Sequence, residues 1–169
     1  NLSPRHEDTF IGGLSMGGYG AIVNALRNPG VFGSVICLSS ALVLDSLVRD
    51  AVDDAPNLLC SRPFFESVFG PMDAIAGSEN DYNALATRIA SSADAPKPRF
   101  WMACGTEDSL LSANQAFARH LRDLAFDVTY QEGPGAHTWE FWDAWIEKAL
   151  AWLPLGAASA SVGSGNVQA

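Results

Sequence analysis

Short apolar runs alternate with segments of helical periodicity along most of the chain. Runs at residues 9–14, 34–38, 100–104 and 128–131 predict four strands. The second and third of these runs are continuously apolar, as expected for strands that are buried on both faces. Strands that alternate with helices form a parallel sheet with right-handed crossovers, so the pattern indicates an α/β fold.

Three helices are predicted between and after these strands. The first covers residues 16–27 and ends at an Asn-Pro-Gly cluster. The second covers residues 112–125 and begins with an S-x-x-Q capping box made by Ser112 and Gln115. The last is predicted from apolar residues that recur at helical spacing as far as Pro154: Trp142, Trp145, Ile146, Ala149, Leu150 and Leu153.

The organisation along the chain predicts one domain over residues 1–154. Between the second and third strands the pattern is weak, with short helices predicted at residues 72–76 and 81–89. Because long excursions near strand ends commonly shape pockets, we expect residues 41–97 to form a variable, pocket-shaping region. Residues 155–169 are mostly Gly, Ala, Ser and Val without periodicity, which predicts a disordered tail.

Charge and composition narrow the classes of partner. Ten Lys and Arg residues against 19 Asp and Glu residues give a net charge of −9, which disfavours binding to nucleic acid or to an anionic membrane surface. No apolar run reaches the ~18 residues that a membrane span needs. A chain that is 48% hydrophobic and 17% charged is not expected to be wholly disordered or a coiled coil.

Three cysteines, at positions 37, 60 and 104, are too few and too widely spaced for a disulfide framework or a zinc site. Cys37 and Cys104 lie in apolar runs and are predicted to be buried free thiols. This use of cysteine favours a reducing, cytoplasmic location.

Residues 13–17 form a G-x-S-x-G pentapeptide between a predicted strand and a predicted helix. That context is typical of a nucleophile elbow, a tight turn that strains the serine backbone and projects its hydroxyl above the sheet. Ser15 is therefore the candidate nucleophile. We expect bulky side chains at Gly13 or Gly17 to clash, so that glycine is needed at both positions, and Gly18 to allow close packing of the helix. A glycine-rich nucleotide-binding turn is disfavoured, because neither G-x-G-x-x-G nor G-K-[ST] is present.

A serine hydroxyl needs a base, and histidine is the usual one. His137 lies in a Gly- and Pro-rich loop after the last strand, where it could reach over the sheet. His6 and His120 are interpreted as surface residues. The chain order Ser, acid, His is that of α/β-hydrolases.

Asp108 follows the 100–104 strand directly and is the favoured acid, because its carboxylate would orient His137 and stabilise the imidazolium. Glu107 and Asp45 remain competitors. The backbone N–H of Met16, the residue after the nucleophile, is predicted to donate to the oxyanion. This chemistry requires no metal and no organic cofactor.

Three motifs carry a resemblance to a known family: residues 12–21 (GGLSMGGYGA), 105–108 (GTED) and 137–143 (HTWEFWD). The chain resembles the esterase D-like family of α/β-hydrolases, and within it the bacterial tributyrin esterases. The resemblance implies a serine carboxylesterase that hydrolyses short-chain acyl esters through an acyl-serine intermediate. S-formylglutathione hydrolases and mycolyltransferases are similar, so a thioesterase and an acyltransferase remain open as alternatives.

The resemblance also implies a departure from the family, whose sheet has eight strands. This chain reads as the last four, so we expect a C-terminal portion of the fold. The second oxyanion donor would come from the other portion, and the 9–14 strand would have an open outer edge. We therefore expect a complementing N-terminal chain or a homo-oligomer, with an inactive fragment or a non-catalytic interaction module as the alternative.

Overall fold

The computed structural model describes residues 5–44 and 61–155. Its sheet contains four parallel strands in the order β1-β2-β3-β4. Because the strand order follows the chain order, every crossover runs in the same direction across the sheet. The strands are β1 (Phe10–Leu14), β2 (Ser34–Leu38), β3 (Arg99–Gly105) and β4 (Val128–Gly133).

The helices follow the strands as an α/β fold requires. Within the described ranges no helix is long and apolar enough to cross a membrane. Two short 3₁₀ helices, His6–Asp8 and Met72–Ala74, accompany α1 (Met16–Arg27), α2 (Arg62–Phe69), α3 (Tyr82–Ala90), α4 (Leu111–Asp123) and α5 (Trp139–Trp152).

Each strand buries alternate residues on opposite faces of the sheet, and both faces are apolar. Val35 and Phe100 point to one face, where they pack with residues of α1, α3 and α4 in the larger core cluster. Ile36 and Trp101 point to the other face, where residues of α5 cover them. The sheet therefore lies between two helical layers.

The second face is only partly covered near β1. A cavity of about 430 Å³ opens between β1 and the apolar side of α5, and we call it the β1–α5 groove. Trp139 and Leu150 line it and remain 71% and 49% exposed. Leu150, one of the apolar residues that recur at helical spacing in α5, is open to solvent because no described residue packs over this end of the helix. Along its outer side β1 pairs with no strand of the described ranges.

The predicted strands and the 16–27 helix are confirmed, with β3 and β4 each longer than predicted. The capping box at Ser112 is wrong. The helix begins at Leu111, and Leu110 is its N-cap without a side-chain hydrogen bond. The Asp108 carboxylate instead accepts a hydrogen bond from the Leu110 N–H at 2.9 Å. A side chain that precedes the helix thus stabilises the turn leading into it. Asp45, Cys60 and the predicted tail beyond Leu155 lie outside the described residues.

Candidate active site

Ser15 lies in the turn between β1 and α1 with φ 52° and ψ −121°, a backbone conformation that costs energy for any residue with a side chain. Besides the bonds that its carbonyl accepts from the first turn of α1, two backbone hydrogen bonds join Ser15 to β2 and the segment after it. Its N–H donates to the Leu38 carbonyl at 2.9 Å, and its own carbonyl accepts the Ala41 N–H at 2.9 Å. The strained turn is therefore tied to the end of β2, and the serine side chain is presented at the carboxyl edge of the sheet.

The glycines around Ser15 have unequal roles. A Cβ at Gly13 would lie 2.2 Å from the Gly17 carbonyl oxygen, so only glycine fits there. A Cβ at Gly18 would lie 2.3 Å from the Ser40 hydroxyl oxygen, which confirms the expected close packing of the helix. The expected clash at Gly17 is wrong. A Cβ there meets nothing within 4 Å, because Gly17 points to solvent from the first turn of α1.

His137 lies between the candidate nucleophile and the candidate acid and is within hydrogen-bond distance of both. Its Nε2 lies 2.9 Å from Ser15 Oγ, and its Nδ1 lies 2.9 Å from Asp108 Oδ2. With the ring proton on Nδ1, the imidazole donates to the carboxylate and accepts from the serine hydroxyl. The three residues follow the carboxyl ends of β1, β3 and β4, and these ends all lie along the same edge of the parallel sheet. This arrangement can move a proton from Ser15 to His137 while Asp108 balances the charge.

The Asp108 carboxylate is buried but well supplied with donors. Burial alone would raise the pKa of Asp108, but hydrogen bonds from the Leu110 N–H, the Ser39 hydroxyl and His137 hold that pKa below its usual value. The carboxylate therefore stays ionised at neutral pH, as is needed to stabilise a positively charged imidazole.

Glu107, the neighbouring acid, does not contact His137. Its side chain accepts a hydrogen bond from the Gly135 N–H, and its own N–H donates to the Gly135 carbonyl at 3.0 Å. Hydrogen bonds from the Thr106 hydroxyl and the Gly135 N–H lower the pKa of Glu107. Glu107 thus fastens the loop that carries His137, two residues before the imidazole.

The other two histidines lie away from this site. His6 is in the exposed 3₁₀ helix beside Glu7, and His120 on α4 contacts the Asn83 carbonyl and the Thr87 hydroxyl. Met16 is the first residue of α1, so its N–H has no acceptor within the helix and remains available beside Ser15.

Two residues contact the site in ways that the sequence analysis did not predict. The Trp142 ring packs edge-to-face with the His137 imidazole at 4.8 Å between centroids. Asn114 is fully buried and bonds to the backbone of Ser40 and Leu110. A signal for Asn114 was available, since it shares the apolar face of α4 with Phe117 and Leu121, where a polar residue needs partners.

The described acidic, histidine and cysteine side chains do not gather into a metal site. No group of three or more His, Cys, Asp or Glu residues in ranges 5–44 and 61–155 is placed to hold a metal ion. Cys37 and Cys104 are buried free thiols, as predicted, and burial raises the pKa of each to about 12. Neither thiol is therefore a thiolate at neutral pH.

Comparison with known proteins places this geometry in a family. The chain matches the Esterase family over residues 1–153. It is 38% identical over 152 residues to an acetyl esterase from Caldicellulosiruptor saccharolyticus, covering 90% of this chain and 56% of that enzyme. The structure is similar to an S-formylglutathione hydrolase from Staphylococcus aureus, with a TM-score of 0.73 and 30% identity. It is also similar to the fluorophosphonate-binding serine hydrolase F of that organism, with a TM-score of 0.75 and 29% identity.

Both structural matches cover 90% of this chain and 56% of the other. The chain therefore spans about half the length of the relatives it matches. The strand–turn–helix around Ser15, the parallel sheet and the family match agree, and the chain belongs to the esterase family of α/β-hydrolases.

Proposed function

We propose that Ser15, His137 and Asp108 are the catalytic triad of a serine esterase that acts on short-chain acyl esters. The observation that carries the proposal is the continuous hydrogen-bonded path from Ser15 Oγ through the imidazole to Asp108, with 2.9 Å at both steps. The strained φ of Ser15 supports it, because such strain is typical of a nucleophile presented on a tight turn.

The reaction follows from the positions of these groups. Ser15 Oγ attacks the ester carbonyl carbon while His137 Nε2 takes the hydroxyl proton, and the Met16 N–H donates to the oxyanion. The alkoxide leaves with the proton from His137, which leaves an acyl-serine. Water then attacks the acyl carbon and loses a proton to the same imidazole. The bond from that carbon to Ser15 Oγ breaks, His137 returns the proton to Oγ, and the carboxylic acid is released. Asp108 remains ionised throughout.

Short acyl groups are proposed because of the acetyl esterase at 38% identity. A tributyrin-type preference for butyrate esters belongs to the same class. Hydrolysis of S-formylglutathione is the second candidate, favoured by the structural match at 30% identity. Initial rates on acetyl, butyryl and longer nitrophenyl esters beside S-formylglutathione would separate the two, because an ester hydrolase should prefer the oxygen esters.

We also propose that full activity requires polypeptide that covers the outer edge of β1. In the described ranges that edge is unpaired and the β1–α5 groove beside it is apolar. Relatives are nearly twice as long as the matched region. An oxyanion hole normally has a second backbone donor from an early strand–helix loop. Loss of one such donor costs on the order of 10²–10³ in turnover, so weak activity is expected without it.

The test is labelling with a fluorophosphonate, which captures an activated serine. We expect one adduct, located by mass spectrometry at Ser15, in the chain alone and in the chain joined to an N-terminal segment that covers β1, a polypeptide called full-length protein below. Ser15→Ala should abolish labelling. Ser91→Ala, which removes an exposed serine hydroxyl at the end of α3, should leave it unchanged. Absence of an adduct from folded full-length protein would refute the proposal, whereas labelling only at full length would support the requirement for the covering segment.

A further inference from the structure

Asn114 is a buried amide whose side chain, within ranges 5–44 and 61–155, hydrogen-bonds to backbone groups alone. Its Oδ1 accepts the Ser40 N–H at 3.1 Å, and its Nδ2 donates to the Ser40 carbonyl at 2.9 Å. The side chain therefore pairs with Ser40 through one donor and one acceptor, as a neighbouring strand residue would. The same Nδ2 donates to the Leu110 carbonyl at 2.9 Å. One amide thus joins the segment after β2 to the turn before α4.

The Ser40 side of this bridge leads to the nucleophile. Ser40 packs against α1 at Gly18, where even a methyl group would collide with its hydroxyl. The next residue, Ala41, donates its N–H to the Ser15 carbonyl at 2.9 Å. A shift of the Ser40 backbone would therefore move a hydrogen-bond partner of the strained turn.

The Leu110 side leads to the acid. The Leu110 N–H donates to Asp108 Oδ1 at 2.9 Å, while Asp108 Oδ2 faces His137. Leu110 thus connects to the amide through its carbonyl and to the carboxylate through its N–H. Since both hydrogen bonds are 2.9 Å long and shielded in part from solvent, a displacement of this turn would alter the direction in which Asp108 faces the imidazole.

We infer that Asn114 is a positioning residue that holds the nucleophile turn after β1 in register with the acid turn after β3, by way of the segment that follows β2. The inference rests on the proposed function, because register matters only if Ser15 and Asp108 act together through His137. Asn114 touches neither substrate nor any reacting atom. Its effect should appear in turnover and not in substrate binding, because misplacement by about 1 Å can cost on the order of 10²-fold in rate.

The experiment compares Asn114→Leu, which keeps the approximate shape without polar atoms, with Leu121→Ala on the same helix. Leu121 is equally buried but packs in the larger core cluster away from Ser40. Full-length protein is measured for kcat, KM and fluorophosphonate labelling rate. A proton NMR spectrum follows the far-downfield signal of the Nδ1 proton that His137 shares with Asp108. Urea denaturation records stability for both variants.

We expect Asn114→Leu to lower kcat by about 10- to 100-fold with KM within about 3-fold, and to broaden or move the Nδ1 proton signal. Leu121→Ala should lower stability at least as much while retaining that signal and most of kcat. Equal losses of kcat in the two variants, or an unchanged signal in Asn114→Leu, would overturn the inference. If Asn114→Leu does not fold, Asn114→Ala, which leaves room for water at Ser40, is judged by the same criteria.

An unlabelled wild-type protein would refute the proposed esterase and not the bridge. The NMR comparison would then still report whether Asn114 controls the contact between Asp108 and His137.

Discussion

The carboxyl edge of the sheet and the outer edge of β1 belong to one sheet but differ in completeness. At the carboxyl edge, hydrogen bonds join Ser15, His137 and Asp108. Backbone hydrogen bonds also tie the Ser15 turn to the end of β2. At the outer edge, apolar side chains line the open β1–α5 groove, and β1 pairs on one side only within the described residues.

The difference shows that the hydrogen-bonded arrangement of Ser15, His137 and Asp108 does not require the outer edge of β1 to be covered. The Ser15–His137–Asp108 path depends on β1, β3 and β4, which are held together through β2. It can therefore be assembled while one side of β1 remains open. The open edge bears instead on stability, on aggregation and on the supply of a second oxyanion donor.

The largest effect is expected from Asp108→Asn at the carboxyl edge. Neutralising this residue removes the charge that stabilises the imidazolium and can favour the wrong tautomer, so ester hydrolysis should fall on the order of 10⁴-fold. Glu107→Gln is the matched control, because it changes the adjacent carboxylate, which accepts hydrogen bonds from Thr106 and the histidine loop and not from the imidazole. Steady-state kinetics should show a much smaller loss for Glu107→Gln, and equal losses would argue against Asp108 as the acid.

The next effect compares the closed and the open regions of the core. Phe100→Ala empties a fully buried site on the closed face and should cost about 3–5 kcal/mol of unfolding free energy. Trp139→Ala removes a larger ring from the groove, where it is 71% exposed, and should cost much less. Urea denaturation of both variants measures the difference. A comparable cost for Trp139→Ala in full-length protein would show that the groove is covered there.

Alanine substitutions at Gly13 and Gly17 test the turn that joins β1 to the active site. Gly13→Ala would force a methyl group to 2.2 Å from the Gly17 carbonyl oxygen, so it should distort the turn and abolish labelling of Ser15. Gly17→Ala should be tolerated and should stabilise α1 by up to about 1 kcal/mol, because its Cβ enters open space and alanine favours helix. Thermal unfolding and labelling together report both outcomes, and loss of labelling in Gly17→Ala would contradict this geometry.

The smallest effect is expected from acid. The pKa values of Asp108 and Glu107 are both lowered in the folded chain, by the hydrogen bonds described above. Groups with lowered pKa contribute stability above their unfolded pKa of about 4 and lose it as pH falls through the folded value. Urea midpoints should therefore fall below about pH 4, and less steeply in Asp108→Asn and Glu107→Gln. Parallel pH profiles for wild type and both variants would contradict the assignment.

Local signals predicted much of this fold. The continuous apolar runs marked β2 and β3, because such runs are buried on both faces wherever the strands pair. The Asn-Pro-Gly cluster at residues 28–30 marked the end of α1. In contrast, Ser112 and Gln115 match a capping pattern, but the structure caps α4 differently. Asp108, which directly follows β3, accepts the Leu110 N–H, so the turn before α4 is stabilised by that carboxylate and not by Ser112.

The residues that act across the site were not visible in the same way. Glu107 and Asp108 are adjacent acids in one turn, and only their contacts separate a partner of Gly135 from a partner of His137. The role of Asn114 depends on Ser40, which lies 74 positions away in the chain. No local pattern reports a contact over that distance.

The order of apolar and polar residues predicted the α/β class, and the G-x-S-x-G motif between a strand and a helix predicted the turn around Ser15, with His137 as its base. These properties follow from short-range sterics and from the burial of each strand. The tertiary structure alone decided which carboxylate faces the imidazole and why Gly17 is dispensable where Gly13 is not. Each of these depends on the distance between segments that are remote in sequence, and only the packed sheet sets that distance.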